Sequence, residues 1–323
     1  LALHEEVLQF AKFLALTPEE AATAARAKDA LVGIIKRLWP SAKVDVFGSR
    51  ASGMMLPTSD WDLVVCGAPG SAYKARHDLK NQAIRKSGIA SSLTVIDHAR
   101  VPIVKLEERA SGLKFDICFD TLSGIDTSKT ILSFSQRFSQ LRPLVLVLKY
   151  YLAQRGLNDT FTGGCGSFMI TLMVVRVLQD RLQLYQRHKG ITKPDVQLDG
   201  SRADVASYFN LGALLLAFFE LYGKTLSYDK VGVSVRDGGH FYSKVSRRFH
   251  NDARPFLLSV ENPMDPNSDV GRSSFQIRRV RQAFDFTFRS LVFKIHQFHQ
   301  RAGTGTTPFL DAVVKVDAYL LKR

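Results

Sequence analysis

The sequence predicts a mixed α/β domain joined to a larger, mainly helical one. Three observations carry this. Residues 44–119 are strand-rich with one internal helix. From about residue 129 onward, apolar residues recur at helical spacing. The 323 residues exceed a usual single domain of roughly 100–200. Hydrophobic residues make up 46% of the chain, too many for a disordered protein.

The elements follow in order. Leu3, Val7, Phe10 and Leu14 define an amphipathic helix over 3–14. Thr17-Pro18-Glu19-Glu20 supplies an N-cap, a proline at the first helical position and a glutamate at the third. This capping box opens a helix that runs to Leu38, where Trp39-Pro40 ends it. Val44 to Phe47 alternates as a strand and stops at Gly48-Ser49. Asp62 to Val65 reads as a buried strand and 73–87 as a basic helix. Segments 93–96, 103–106 and 113–119 read as further strands. Helices are expected over 143–155, 168–184, 210–222 and 275–298. Val231 to Val235, followed by Gly238-Gly239, predicts a small hairpin.

Composition narrows the function classes. The net charge of +14 points to an anionic partner: nucleic acid, a polyphosphate ligand or an anionic membrane. The densest cluster is Arg278, Arg279 and Arg281, with Lys244, Arg247 and Arg248 upstream, available for an RNA backbone or an acidic partner. No apolar run reaches ~18 residues without a charge, which argues against a membrane span; Phe168 to Val175 stops at Arg176. Cys66, Cys118 and Cys165 form no CxxC pair, so neither a disulfide framework nor a zinc ribbon is expected and a reducing compartment is the default. The chain starts with Leu rather than Met and reads as trimmed, so a removed targeting signal or tail leaves no trace.

The most informative stretch is FGSRASGMMLPTSDWDLVV, Phe47 to Val65. Gly48-Ser49 ends a strand, where a glycine lets backbone N–H groups approach a phosphate and the serine adds a donor. A following helix would add positive potential. Asp60-x-Asp62 leads directly into an apolar strand, and an i, i+2 spacing on a strand points both carboxylates to one face. Like charges held that close call for a cation, and Mg²⁺ takes one or two carboxylates plus substrate phosphates. A DxD alone is common on surfaces; its coupling to the GS turn makes it specific.

A two-metal phosphoryl-transfer site needs a third carboxylate from a neighbouring element. Asp116, inside the apolar strand KFDICF, is the candidate, with Asp120 the weaker alternative. Facing inward, Asp116 needs a metal or a basic partner. Strand alternation also permits it to face outward between inward Phe115 and Ile117.

These carboxylates and the GS turn resemble the DNA polymerase β-like nucleotidyltransferase superfamily. More closely, the chain resembles noncanonical poly(A) polymerases of the nuclear RNA-surveillance (TRAMP-type) branch and their relatives, the terminal uridylyltransferases. The resemblance covers nearly the whole chain, through KFDICFD, PLVLVLKYYLAQRGLNDTFTGGCGSF, NLGALLLAFFELYGKTLSYDKVGVSVRDGG and ENPMDPNSDVGRSSF, and fades beyond about residue 295. It implies a nucleotidyltransferase catalytic domain over 20–130. A helical central, PAP-associated domain would comprise 1–19 and 131–323, with a cleft between the two. The metal aspartates fall on Asp60, Asp62 and Asp116. Two Mg²⁺ or Mn²⁺ ions would lower the pKa of the RNA 3′-hydroxyl and hold the triphosphate, with Asp116 serving the attacking oxygen.

The same resemblance places the triphosphate turn on Gly48 and Ser49, the sugar contact on Thr127 and Ser128, and the triphosphate lysine on Lys149. Some relatives carry a second lysine one turn later; here Ala153 stands there, leaving Arg155 or another residue to supply it. A snorkelling lysine is the bland alternative for Lys149. Ser167 falls on a phosphate or ribose contact and Phe168 on the ring that stacks on the base, unless Phe168 is a core residue opening a helix. The loop 261–272 matches the nucleotide-recognition loop, with Asn262, Asp265, Ser268 and Asp269 as base readers and Arg272 tying it down. Uridylyltransferases often place histidine at the position of Ser268; serine leaves room for a purine and favours ATP. The implied activity is addition of AMP from ATP to RNA 3′ ends. The alternatives are uridylylation from UTP and a catalytically inactive RNA-binding scaffold. The resemblance further implies a monomeric catalytic subunit in the nucleus, a zinc-knuckle RNA-binding partner and a helicase.

Overall fold

Local signals start the first layer of the structure, a computed structural model that describes residues 2–99, 101–191, 208–300 and 308–323. The capping box forms as read: Glu20 N donates to Thr17 Oγ1 at 3.2 Å and Thr17 N to Glu20 Oε2 at 2.8 Å. They open helix α2, Pro18–Leu38, which follows helix α1, Ala2–Phe13. The chain divides into two compact units, Ala15–Ser133 on one side and Leu1–Leu14 with Phe134–Arg323 on the other.

The unit 15–133 is built on a five-stranded sheet. Its strands are β1 (Lys43–Phe47), β2 (Trp61–Cys66), β3 (Ala90–Ile96), β4 (Ile103–Glu108) and β5 (Lys114–Phe119), in the order β1-β2-β5-β4-β3. Only the β2–β5 pair is parallel. A one-turn helix α3 (Gly48–Ala51) follows β1. The basic helix read over 73–87 appears as α4 (Ala72–Asp78), a wider π-type stretch Leu79–Ile84, and α5 (Arg85–Ser87).

Ala24, Ala27, Leu31 and Ile35 recur every three or four residues along α2 and share one buried core with alternate strand residues. Those are Trp61, Leu63 and Val65 of β2, Val104 and Leu106 of β4, and Phe115, Ile117 and Phe119 of β5. The period of two therefore sends Asp62, Lys105 and Asp116 to the opposite face.

The second unit is mainly helical. Helix α6 (Ser123–Arg137) begins in the unit 15–133 and ends past Phe134; the second unit then holds α7 (Leu141–Ala153), α8 (Ser167–Lys189), α9 (Leu211–Glu220) and α10 (Ile277–Gln300), with a short α11 (Ala318–Leu321) at the end. Helix α1 is tied to this unit by two side chains. His4 Nδ1 accepts from Leu211 N at 2.9 Å, and Glu6 accepts from Phe309 N and Leu310 N. The predicted hairpin is present: β6 (Val231–Ser234) pairs antiparallel with β7 (His240–Ser243), turning through Asp237, Gly238 and Gly239 at positive φ.

The sequence reading missed two further strands. β8 (Ser259–Asn262) runs parallel to β6 and β9 (Asp265–Asp269) pairs antiparallel with β8, so the segment read as a loop is largely a hairpin. Among the described residues no helix is long and apolar enough to cross a membrane.

Candidate active site

In the unit 15–133, strand register gathers the carboxylates. Asp62 on β2 lies directly opposite Asp116 on β5, and Asp116 lies opposite Lys105 on β4. Asp60 sits just before β2. Lys105 Nζ donates to Asp60 Oδ2 at 2.9 Å and lies 3.2 Å from Asp116 Oδ1 and 3.4 Å from Asp116 Oδ2. One ammonium thus bridges two of the three predicted aspartates.

Asp116 takes the outward option that strand alternation allowed, yet it remains covered, with its side chain 21% exposed. It also has the basic partner an inward position would have required. Burial pushes its carboxyl above the usual range, the Lys105 ammonium pulls it back, and Asp60 pushes it up again; the net shift is upward. For Lys105, burial alone would lower the pKa. Its bonds to Asp60 and Asp116 outweigh that, and the ammonium is held above its ordinary value. Asp120, the weaker alternative, falls past the end of β5 and accepts a bond from Gly67 N at 3.2 Å, away from this cluster.

The donor set suits a hard divalent cation, being carboxylate oxygens throughout. Two of the carboxylates already share a cation, and Asp116 Oδ1 is buried with no hydrogen bond. Among the described residues, no three side chains already converge as a finished metal cage. The fit rests on Asp60 and Asp116 facing one charge, with Asp62 in register beside them.

The GS turn is bonded into the fold. Gly48 N donates to Ser128 Oγ at 2.9 Å and Gly48 O accepts from Ser52 N, so this N–H is already used within the fold. What the position requires is a missing side chain: φ is +68°, and a Cβ would lie 2.0 Å from Asp62 Oδ2. The helix that follows has one turn, too short to add appreciable dipole potential. Ser49 is half-buried in that turn. Ser128, expected at the sugar, is buried and spends its hydroxyl on Gly48 N and Gly124 O. Thr127 Oγ1 donates to Ser123 O at 2.8 Å in its own helix.

In the other unit, Lys149 is buried along α7. Arg155 does not reach out as a substitute for the absent second lysine. Its guanidinium stacks 3.7 Å above the Tyr151 ring and donates to Tyr151 O at 3.0 Å. Ser167 is exposed and Phe168 half-buried in the first turn of α8. At Gly166, just before it, a Cβ would meet Thr160 Cγ2 at 2.5 Å unless that side chain turned away. Ser274 Oγ lies 3.3 Å from Met169 Sδ, so the chain just after β9 borders the start of α8.

The segment 261–272 is held by side-chain bonds to its own backbone. Asn262 Oδ1 accepts from Met264 N, and Asp265 Oδ1 from Asn267 N, both at 3.1 Å, forming two consecutive side-chain turns. Ser268 is half-buried and Arg272 exposed. Asp269 is tied into the fold: its Oδ1 accepts from Val260 N at 2.9 Å and Gly271 N at 2.8 Å.

Lys244 is likewise no surface cation. It is 1% exposed and donates to the carbonyls of Tyr228, Pro255 and Leu257 at 2.7–2.9 Å. Arg247 is committed to the buried Glu261 carboxylate, which Arg236 also approaches. Of the basic cluster, Arg278 stacks 3.9 Å over Phe256 and Arg281 faces Tyr228 and Gly223 O.

Two family models match the chain: the mitochondrial-like poly(A) RNA polymerase central palm domain over residues 3–136, and the Cid1 family poly A polymerase model over 210–268. Poly(A) RNA polymerase cid14 of Schizosaccharomyces pombe is 33% identical over 300 residues, 92% of this chain and 42% of the relative. A Drosophila melanogaster relative, the inactive noncanonical poly(A) RNA polymerase protein Trf4-2, is 32% identical over 90% of this chain and 68% of its own length. The chain belongs to the Trf4/Cid14-type poly(A) RNA polymerase family. A solved structure of the polymerase core of TRAMP, an RNA surveillance complex, superposes with a TM-score of 0.78 at 29% identity, covering 97% of this chain and 94% of that one. Its fold is that of the polymerase β-like nucleotidyltransferases.

As a member of the Trf4/Cid14-type family, the chain spans 37–42% of the Cryptococcus neoformans and S. pombe polymerases. The residue that sequence reasoning missed is Lys105. Its signal was a charge set between the buried Val104 and Leu106, but its role depends on lying opposite Asp116, which only strand pairing decides.

Proposed function

We propose that the protein adds AMP from ATP to RNA 3′ ends without a template. The supporting observation is the in-register pair Asp62–Asp116 with Asp60 joined to Asp116 through Lys105, in a chain whose relatives are poly(A) RNA polymerases. Magnesium or manganese held by these carboxylates would supply the charge that steadies the triphosphate and makes the RNA 3′-hydroxyl more acidic. Asp116 faces the attacking oxygen, and Asp60 and Asp62 hold the triphosphate side. Gly48 keeps Asp62 in place, and Ser49 donates its hydroxyl to a phosphate. Lys149 and Ser167 meet phosphate or ribose oxygens, and Thr127 serves the sugar. The half-buried Phe168 ring offers one face to the base. Asn262, Asp265 and Ser268 read the base edge.

The reaction is positioning plus charge neutralisation. The setting is RNA surveillance in the nucleus, as a catalytic subunit working with a zinc-knuckle RNA-binding protein and a helicase. The uridylyl reading keeps the same chemistry and differs at Ser268.

Extension of a short RNA primer with each nucleoside triphosphate, with and without such partners, tests the proposal. Tails of A are expected. Preferential use of UTP would overturn the adenylyl assignment. Asp60→Ala with Asp62→Ala should abolish tailing while the protein still melts cooperatively; unchanged tailing would remove these aspartates from the mechanism and leave the scaffold reading.

A further inference from the structure

Lys105 has no freedom to leave the carboxylates for the core. Val104 and Leu106 on either side are buried, so the strand period aims Lys105 at the face that carries Asp62 and Asp116. Its Nζ lies 2.9 Å from Asp60 Oδ2 and 3.2 Å from Asp116 Oδ1. Three carboxylates and one ammonium leave this cluster with two negative charges in a half-buried setting. Without the ammonium, Asp60 and Asp116 would repel each other across the face of the sheet.

We infer that Lys105 is a positioning residue, a built-in counter-cation that holds Asp60 and Asp116 toward each other and competes with a divalent ion for them. The inference rests on the reading that these carboxylates bind such an ion. A divalent cation entering here must push the ammonium off at least one carboxylate.

The test is a Mn²⁺ titration of the whole chain, followed by the electron paramagnetic resonance of free Mn²⁺, with melting curves in EDTA. Lys105→Met should bind Mn²⁺ about five- to tenfold more tightly and melt lower in EDTA, as expected when one positive charge a few ångströms away is removed. Lys105→Arg should move the other way and bind Mn²⁺ more weakly, because a guanidinium grips two carboxylates more firmly. Lys114, exposed two residues before Asp116, controls for net charge, and Lys114→Met should change little. Equal or weaker binding by Lys105→Met, equal or tighter binding by Lys105→Arg, or equal tightening in Lys114→Met would each overturn the inference. If Asp60→Ala with Asp62→Ala leaves Mn²⁺ binding intact, it is the ion-site reading that fails instead.

Discussion

A Cβ on Gly48 would lie 2.0 Å from Asp62 Oδ2, so the glycine of the GS turn and the second aspartate of the DxD occupy complementary space. The two residues, fourteen positions apart in the chain, meet because Phe47 at the end of β1 pairs with Asp62 on β2. Gly48→Ala adds a side chain where the carboxylate sits and also forces an L-residue to φ +68°. The backbone cost is about 1–2 kcal/mol. The displaced carboxylate should lower tailing by about 100-fold, as misplacement by an ångström can. Tailing rates and a melting curve on the variant check this; wild-type activity would mean Asp62 tolerates the shift.

Lys244 separates a structural reading from an RNA-binding one. Its three carbonyl bonds are made at 1% exposure. Lys244→Met should cost about 3 kcal/mol by leaving buried carbonyls unmatched. The slope of RNA affinity against salt should stay as in the wild type. A stable variant with a shallower salt slope would return Lys244 to the RNA backbone.

Asp97 sets part of the acid limit of stability. The bond from Arg76, itself nearly buried, holds the Asp97 carboxyl below its ordinary value, with His77 adding a second bond at 3.0 Å. The folded pKa lies below the unfolded one. This contribution is therefore complete above the ordinary carboxylate pKa of about 3.9 and is lost as pH falls through the folded value. Asp97→Asn should flatten the low-pH limb of a plot of melting temperature against pH. An identical limb would show that Asp97 does not govern it.

The cysteines should differ in reactivity. Burial pushes the Cys118 and Cys165 thiols up to about 12, and both side chains are 1% exposed. Cys66 is half-buried, and its thiol is raised by burial and by nearby Asp120 and Asp45. At pH 8 all three are mainly protonated, and only Cys66 is accessible. Iodoacetamide on the folded protein should therefore label Cys66 slowly and the other two only after denaturation, as read by peptide mass spectrometry. Early labelling of Cys118 would contradict the packing of β5.

Much of the site was legible because its signals are local. The capping box at Thr17, the DxD at Asp60 and Asp62, and Asp116 in an apolar strand each follow from near-neighbour spacing. The misread residues share another property. Ser128, Lys244 and Asp269 look like ordinary surface donors or acceptors, and beside any local bond each has a partner further off, 80, 16 and 9 residues away. Polar residues of this kind are assigned by what the fold brings to them, and a linear pattern carries no record of that.

The sequence by itself determined the alternation of β2 and β5, because side chains on a strand must alternate, and left open which face Asp116 takes. It also determined the family, through several motifs in fixed order. Only the tertiary structure decided which strands are neighbours and in what register. That pairing set Lys105 opposite Asp116 and Asp116 opposite Asp62. Hydrogen bonds between strands distant in the chain fix register, and a shift of one residue would have turned these charges into the α2 core.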